Sequence, residues 1–190
     1  MHLCLAYPNI SADDRELIHD FRRLHDAKYV DVVDAHWTMI FPGSTKDFDS
    51  SDLHEHISRV ARDFSPIDFV CRYALVYDDD SSDDYYIFLV PDEGFSQISL
   101  LHDALYSGMM LPHLRLDIPY VPHVGIATSA DKDHLYRLAT DWNNLRREIR
   151  GRIDSLTLSS YDGNRVEDIT HFRLTNSEQA DAGNRASPGS

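Results

Sequence analysis

The order strand, helix, strand, helix, strand occurs twice along this chain, and the repetition constrains the fold more than any single motif does. LCLAYP pairs with YIFLVP, HWTMIF with HVGIAT, and IDFVCRYALVYDD with RIDSLTLSSYDG. The offsets are nearly constant: 83 residues from Pro8 to Pro91, 87 from His36 to His123, and 86 from Ile67 to Ile153. The match is one of pattern rather than of residue identity, and it reads as two similar units. If a pseudo-two-fold axis relates them, equivalent strands meet, and each equivalent strand carries one histidine.

The elements follow from periodicity. Strand-like runs cover residues 3–7, 34–41, 68–77, 85–90, 120–128, 152–160 and 166–174. Four helical stripes lie between them. Ser11, with Asp14 three residues on, caps the first, which aligns Leu17, Phe21 and Leu24. The second follows Ser51 and aligns Leu53, Ile57, Val60 and Phe64, while Ile98, Leu101 and Leu105 mark the third. Leu135, Leu138, Trp142, Leu145 and Ile149 form the fourth, with Gly151 as its stop. The polar stretch 78–84 (DDDSSDD) reads as a hairpin loop with solvated carboxylates. With 42% hydrophobic residues the chain has enough for a core, so residues 1–174 are expected to form one compact domain, or two small lobes sharing an interface. Residues 175–190 turn small and polar and read as a disordered tail.

Composition also bounds the partners. A net charge of −14 repels long nucleic acid, and the small basic clusters, Arg22-Arg23 and Arg146-Arg147, do not override it. A small nucleotide or a short RNA terminus remains compatible. No run reaches the roughly 18 apolar residues of a membrane span, so no membrane partner is expected. The N-terminal MHLCLAYP does not read as a secretory signal. Cys4 and Cys71 sit in apolar strands without metal spacing. They read as reduced core residues of a cytoplasmic protein. A monomer is expected.

In AHWTMIFP, strand alternation puts His36 and Thr38 on one face and the apolar Ala35, Trp37, Met39 and Phe41 on the other. The same alternation in VPHVGIAT groups His123 with Gly125, away from Pro122, Val124 and Ile126. Each half therefore offers an imidazole beside a small residue on a face that the core does not claim.

These paired motifs, His36-Trp37-Thr38-Met39 and His123-Val124-Gly125-Ile126, resemble the His-x-Thr/Ser-hydrophobic motifs of the 2H phosphoesterase superfamily. That superfamily includes 2′-5′ RNA ligase-like proteins and RNA 2′,3′-cyclic phosphodiesterases. The likeness runs from about Leu3 to Leu174 and includes FPG after the first motif and the proline before the second histidine. It implies an α+β, bilobal, duplicated fold with two antiparallel sheets forming a central cleft and helices outside. It also implies a mechanism without metal or other cofactor. Imidazole titrates near neutrality, so one ring can serve as base while its partner serves as acid. For opening a 2′,3′-cyclic phosphate the sequence does not fix which ring is base; the expected order is His123 as base and His36 as acid, with the roles exchanged in the reverse reaction. Thr38 would donate to a non-bridging phosphate oxygen.

Gly125 departs from the family pattern, which usually has a second hydroxyl there. Thr128 cannot replace it in a regular strand, since its odd spacing from His123 turns it to the other face. Tyr7, Tyr73 and Tyr120 are candidates for stacking a base. Arg72 could meet a phosphate or form a structural ion pair. His54 and His56 read as solvated surface. The leading function is a cyclic phosphodiesterase for nucleotides or short RNA ends, with reversible 2′-5′ ligation as an extension. The alternatives are a nucleotide-binding module without turnover, motivated by Gly125, and a cyclic phosphodiesterase for another metabolite, such as a cyclic ADP-ribose phosphate.

Overall fold

The computed structural model describes residues 1–78 and 83–176. From residue 177 onward the expected tail lies outside the described residues, as does the centre of the expected 78–84 loop.

The first unit runs β1 (His2–Ala6), a short β2 (Asn9–Ile10), α1 (Ala12–His25), β3 (Trp37–Ile40), α2 (Ser50–Asp63) and β4 (Ile67–Asp78). The second runs β5 (Tyr85–Glu93), α3 (Phe95–Leu105), β6 (Val124–Ser129), α4 (Lys132–Asn144), β7 (Ile149–Ile153), β8 (Ser155–Tyr161) and β9 (Val166–Arg173). Ser11 caps α1 as expected, its Oγ accepting the Asp14 N–H at 3.1 Å and donating to the Asp14 carboxylate at 2.7 Å. This satisfies one of the amides that a helix start leaves orphaned. Helix α2 starts at Ser50, ahead of the expected start after Ser51, with Asp49 as its cap accepting from the Ser51 and Asp52 amides.

The two expected sheets are halves of one continuous nine-stranded sheet, ordered β2-β7-β4-β5-β6-β3-β1-β8-β9. Every pairing is antiparallel. The halves meet at β6 and β3, where Trp37 pairs with Val124. Outward from this seam the order is β6-β5-β4-β7-β2 on one side and β3-β1-β8-β9 on the other. The inner three strands of each series correspond, β6 with β3, β5 with β1 and β4 with β8, which is the pseudo-two-fold. Each unit, however, sends its fourth strand across: β4 pairs with β5, and β8 pairs with β1. The helices cross as well, with α1 packing on β6 and α3 on β3. Helices cover one face, where Trp37, Met39, Val124 and Ile126 are buried. The other face is the cleft.

Two local readings change. Helix α4 stops at Asn144, short of Ile149 and Gly151, and Arg146 takes a left-handed φ of 50°. Ile149 and Gly151 belong instead to β7, which pairs with β4. His56 is buried rather than solvated: it donates from Nε2 to the Leu105 carbonyl at 2.8 Å and accepts from Arg59 on Nδ1.

Candidate active site

Strand pairing at the seam fixes the site. Trp37 and Val124 point into the core as partners. Continuing that antiparallel register by one residue in each direction sets His36 opposite Gly125 and Thr38 opposite His123, all four on the cleft face. The two imidazoles are thus diagonal neighbours across one strand pair, positions that in an antiparallel ladder lie about 7–8 Å apart. Both histidines immediately precede their strands, and both are half-buried.

The same lock orients each ring. His36 Nδ1 lies 2.7 Å from the Asp34 carbonyl and His123 Nδ1 lies 2.7 Å from the Val121 carbonyl. A carbonyl can only accept, so each Nδ1 carries the hydrogen and each Nε2 keeps a lone pair in the neutral ring. On His36 that lone pair accepts the Thr38 hydroxyl at 3.1 Å. His123 stacks on Phe88 with ring centroids 3.6 Å apart, and Phe88 in turn stacks on Tyr77 at 5.0 Å. Desolvation pushes both imidazoles down to about 4, against partial compensation from the backbone carbonyls. At His36 the positive charges of Arg22 and of a protonated His123 push the same way. The resting pair is therefore neutral, and an anion between the rings would restore their affinity for a proton.

The other candidates are distributed unevenly. Gly125 pairs with Phe88, and a Cβ built on it would meet nothing within 4 Å. Tyr7 stands edge-on to His36 at 6.5 Å between ring centroids, its hydroxyl donating to Asp168 at 3.0 Å. Beside it a cavity of about 390 Å³ opens, lined by Tyr7, Val33, Asp34, Arg165 and Asp168 among others. Tyr73 is 59% exposed on β4. Tyr120 lies behind the site: it stacks on His102 at 3.6 Å and donates to the Thr38 carbonyl at 3.2 Å. Arg72 is held by Asp92, Glu93 and Glu148, which is the structural ion-pair alternative.

Thr128 shows why strand arithmetic is fragile. Tyr86 pairs with Thr128 while Phe88 pairs with Gly125, so an irregularity absorbs one residue and returns Thr128 to the cleft-side parity of Gly125. Its hydroxyl is nonetheless committed to Asp26 at 2.9 Å. Phe88 and the Arg22–Asp26 pair were not singled out from the sequence. Only the strand register and the path of residues 26–35 bring them to the site.

A family model described as the 2′-5′ RNA ligase superfamily matches residues 3–165. No curated protein matches the chain. Among solved structures, apo LigT of E. coli superposes with a TM-score of 0.53 at 19% identity, covering 92% of this chain and 99% of LigT. A crystal structure described as a phosphoesterase gives 0.55 at 17%, covering 92% and 98%. TT0787 of Thermus thermophilus gives 0.54 at 13%, covering 90% and 98%. At these identities the likeness is one of fold.

Proposed function

The chain belongs to the 2′-5′ RNA ligase superfamily, and from that premise we propose that it is a phosphodiesterase that opens 2′,3′-cyclic phosphates by two-histidine acid–base catalysis. One observation carries the reading: two imidazoles, each fixed in the same tautomer by a backbone carbonyl, flank a single seam pair on the cleft face. In the reaction, His123 Nε2 takes a proton from water as the water oxygen bonds to phosphorus. His36, protonated in the complex, gives its proton to the ribose oxygen as the old P–O bond breaks. Ring closure, or ligation, exchanges the two roles. Both proton transfers are supplied by side chains, so no metal is assigned a part. Thr38, released from His36, donates to a non-bridging oxygen.

The fold relative LigT has been crystallised with 3′-AMP, with ATP and with NADP+, which supports a nucleotide as ligand. The net charge of −14 favours a mononucleotide or a short RNA terminus over a long strand. Tyr7, beside His36, offers a ring to the nucleoside. A second reading, a nucleotide-binding module without turnover, is favoured by Gly125 alone, since loss of one such hydroxyl donor costs roughly 10²–10³ in rate.

Turnover of 2′,3′-cyclic nucleotides in EDTA, beside His36→Ala and His123→Ala, tests the enzyme reading. We expect activity to survive chelation and to fall at least ~10²-fold in each variant. Chelation-sensitive turnover, or variants as active as the parent, would overturn the proposal. Nucleotide binding without turnover would select the module.

A further inference from the structure

One buried ion pair stands behind the histidines and takes no part in the chemistry above. Arg22 and Asp26, on the last turn of α1 and its cap, are 5% and 3% exposed and meet at 3.1 Å. Taking two charges out of water is costly, and an apolar pair would fill the space more cheaply. The geometry shows what the charges do instead. Arg22 Nη1 donates to the Val33 carbonyl at 2.9 Å and Nη2 to the Tyr29 carbonyl at 3.1 Å. Val33 precedes Asp34, whose carbonyl holds His36. The second oxygen of Asp26 accepts the Thr128 hydroxyl at 2.9 Å, and Thr128 lies on β6, the strand that follows His123. One network therefore grips the chain entering β3 and the strand carrying the second motif. It does so at a seam where β3 and β6 share one register pair among the described residues.

We propose that Arg22, Asp26 and Thr128 form a positioning device that ties the segment before β3 to β6 and thereby fixes His36 against His123. The proposal rests on the reading of those two histidines as the proton-transfer pair. The network does more than brace the backbone, because Arg22 is also the charge behind His36. Around that ring stand Arg22 from α1, Asp34 from the preceding segment, Tyr7 after β1 and His123 before β6, with Thr38 on its own strand. Asp26 acts on His36 through Arg22, whose charge it offsets. Removing Arg22 makes protonation of His36 easier, whereas removing the Asp26 charge exposes Arg22 and makes it harder.

Three variants in the full-length protein test this, read by NMR titration of the imidazoles and by steady-state kinetics on a 2′,3′-cyclic nucleotide. In Arg22→Met the onset of His36 protonation should move to higher pH, and in Asp26→Asn to lower pH. Thr128→Val keeps both charges and removes one tether, so kcat should fall about tenfold with little change in KM, as a slightly misplaced catalytic group demands, while the buried Asp26 carboxylate, short of one donor, lowers the melting temperature by a few degrees. A brace of purely structural importance would move melting in all three variants and leave both His36 titration and kcat in place, and that result would overturn the proposal. So would shifts of the same sign in Arg22→Met and Asp26→Asn. If Arg22→Met does not fold, the other two variants decide. If the parent shows no turnover, the titration arm still decides, and failure of the enzyme reading is seen separately.

Discussion

At the scale of single residues, the site is symmetric in its imidazoles and asymmetric in its hydroxyls. His36 and His123 share tautomer and lock, but Thr38 faces His123 across the seam while only Gly125 faces His36. A Cβ at Gly125 would enter open space, and a β-branched residue suits a strand. We therefore expect Gly125→Thr to fold as the parent does and to raise kcat on a 2′,3′-cyclic nucleotide at least about tenfold, a fraction of what one oxyanion donor supplies. An unchanged rate counts against the phosphate-clamp argument. The depressed imidazoles make a second prediction. An ordinary imidazole titrates near 6.5, whereas these two are pushed down to about 4 by burial. Between those values the unfolded chain binds more protons than the native one. Stability is thus fully present above about pH 6.5 and declines as pH falls towards 4. Inorganic phosphate, by favouring protonated rings, should protect more at pH 5 than at pH 7. Thermal melts at the two pH values, with and without phosphate, check the sign.

At the scale of elements, most of the architecture was legible because apolar periodicity and helix caps are local. Ser11 caps α1 where the sequence puts it, and each histidine stands one residue before a strand that the sequence also places there. What failed to show was non-local. Leu145 and Ile149 continue the spacing of α4, yet Leu145 is 56% exposed and Ile149 is drawn into β7 by its partner on β4. The displaced register at Ile87–Phe88, which turns Thr128 towards the cleft side, is invisible without the partner strand. Tyr120 and Arg72 illustrate the same limit: residue type suggested a ligand contact, while their neighbours, the Thr38 carbonyl and three carboxylates, come from distant parts of the chain. Gly151 is the clearest case. Read as a helix stop, it is a glycine because β2 and Phe69 press on it: a Cβ there would lie 2.5 Å from Ile10, 2.7 Å from the Phe69 ring and 2.8 Å from the Asn9 carbonyl. Gly151→Ala should destabilise the fold by about 1–3 kcal/mol, the usual cost of overpacking. A melt lowered by several degrees is expected, and an unchanged melt would mean that β2 moves aside freely.

At the scale of the whole molecule, the repeat visible in the sequence and the halves visible in the sheet are different divisions of the chain. The first unit contributes β1 and β3 to one half but β4 to the other, while β8 and β9 of the second unit complete the half that β1 begins. Each half-sheet needs strands from both units, and α1 and α3 likewise pack across the seam. Such an arrangement makes the two histidines hard to separate, because β3 and β6 neighbour each other and no break between the two motifs leaves either motif strand with both of its neighbours. It also predicts how the chain comes apart. If the backbone is cut between Asp78 and Asp83, the N-terminal fragment keeps β1, β3 and β4 but loses β5 and β8, the partners of β4 and β1. The C-terminal fragment is left with the complementary edges. Neither fragment should melt cooperatively alone, since each leaves long strand edges and an apolar face uncovered. Mixed in equal amounts they should reassemble, regain a single cooperative transition, and recover the phosphate-dependent stabilisation at pH 5. A fragment that folds independently, with its own cooperative melt, would contradict the exchange of β4 and β8 on which the shared cleft depends.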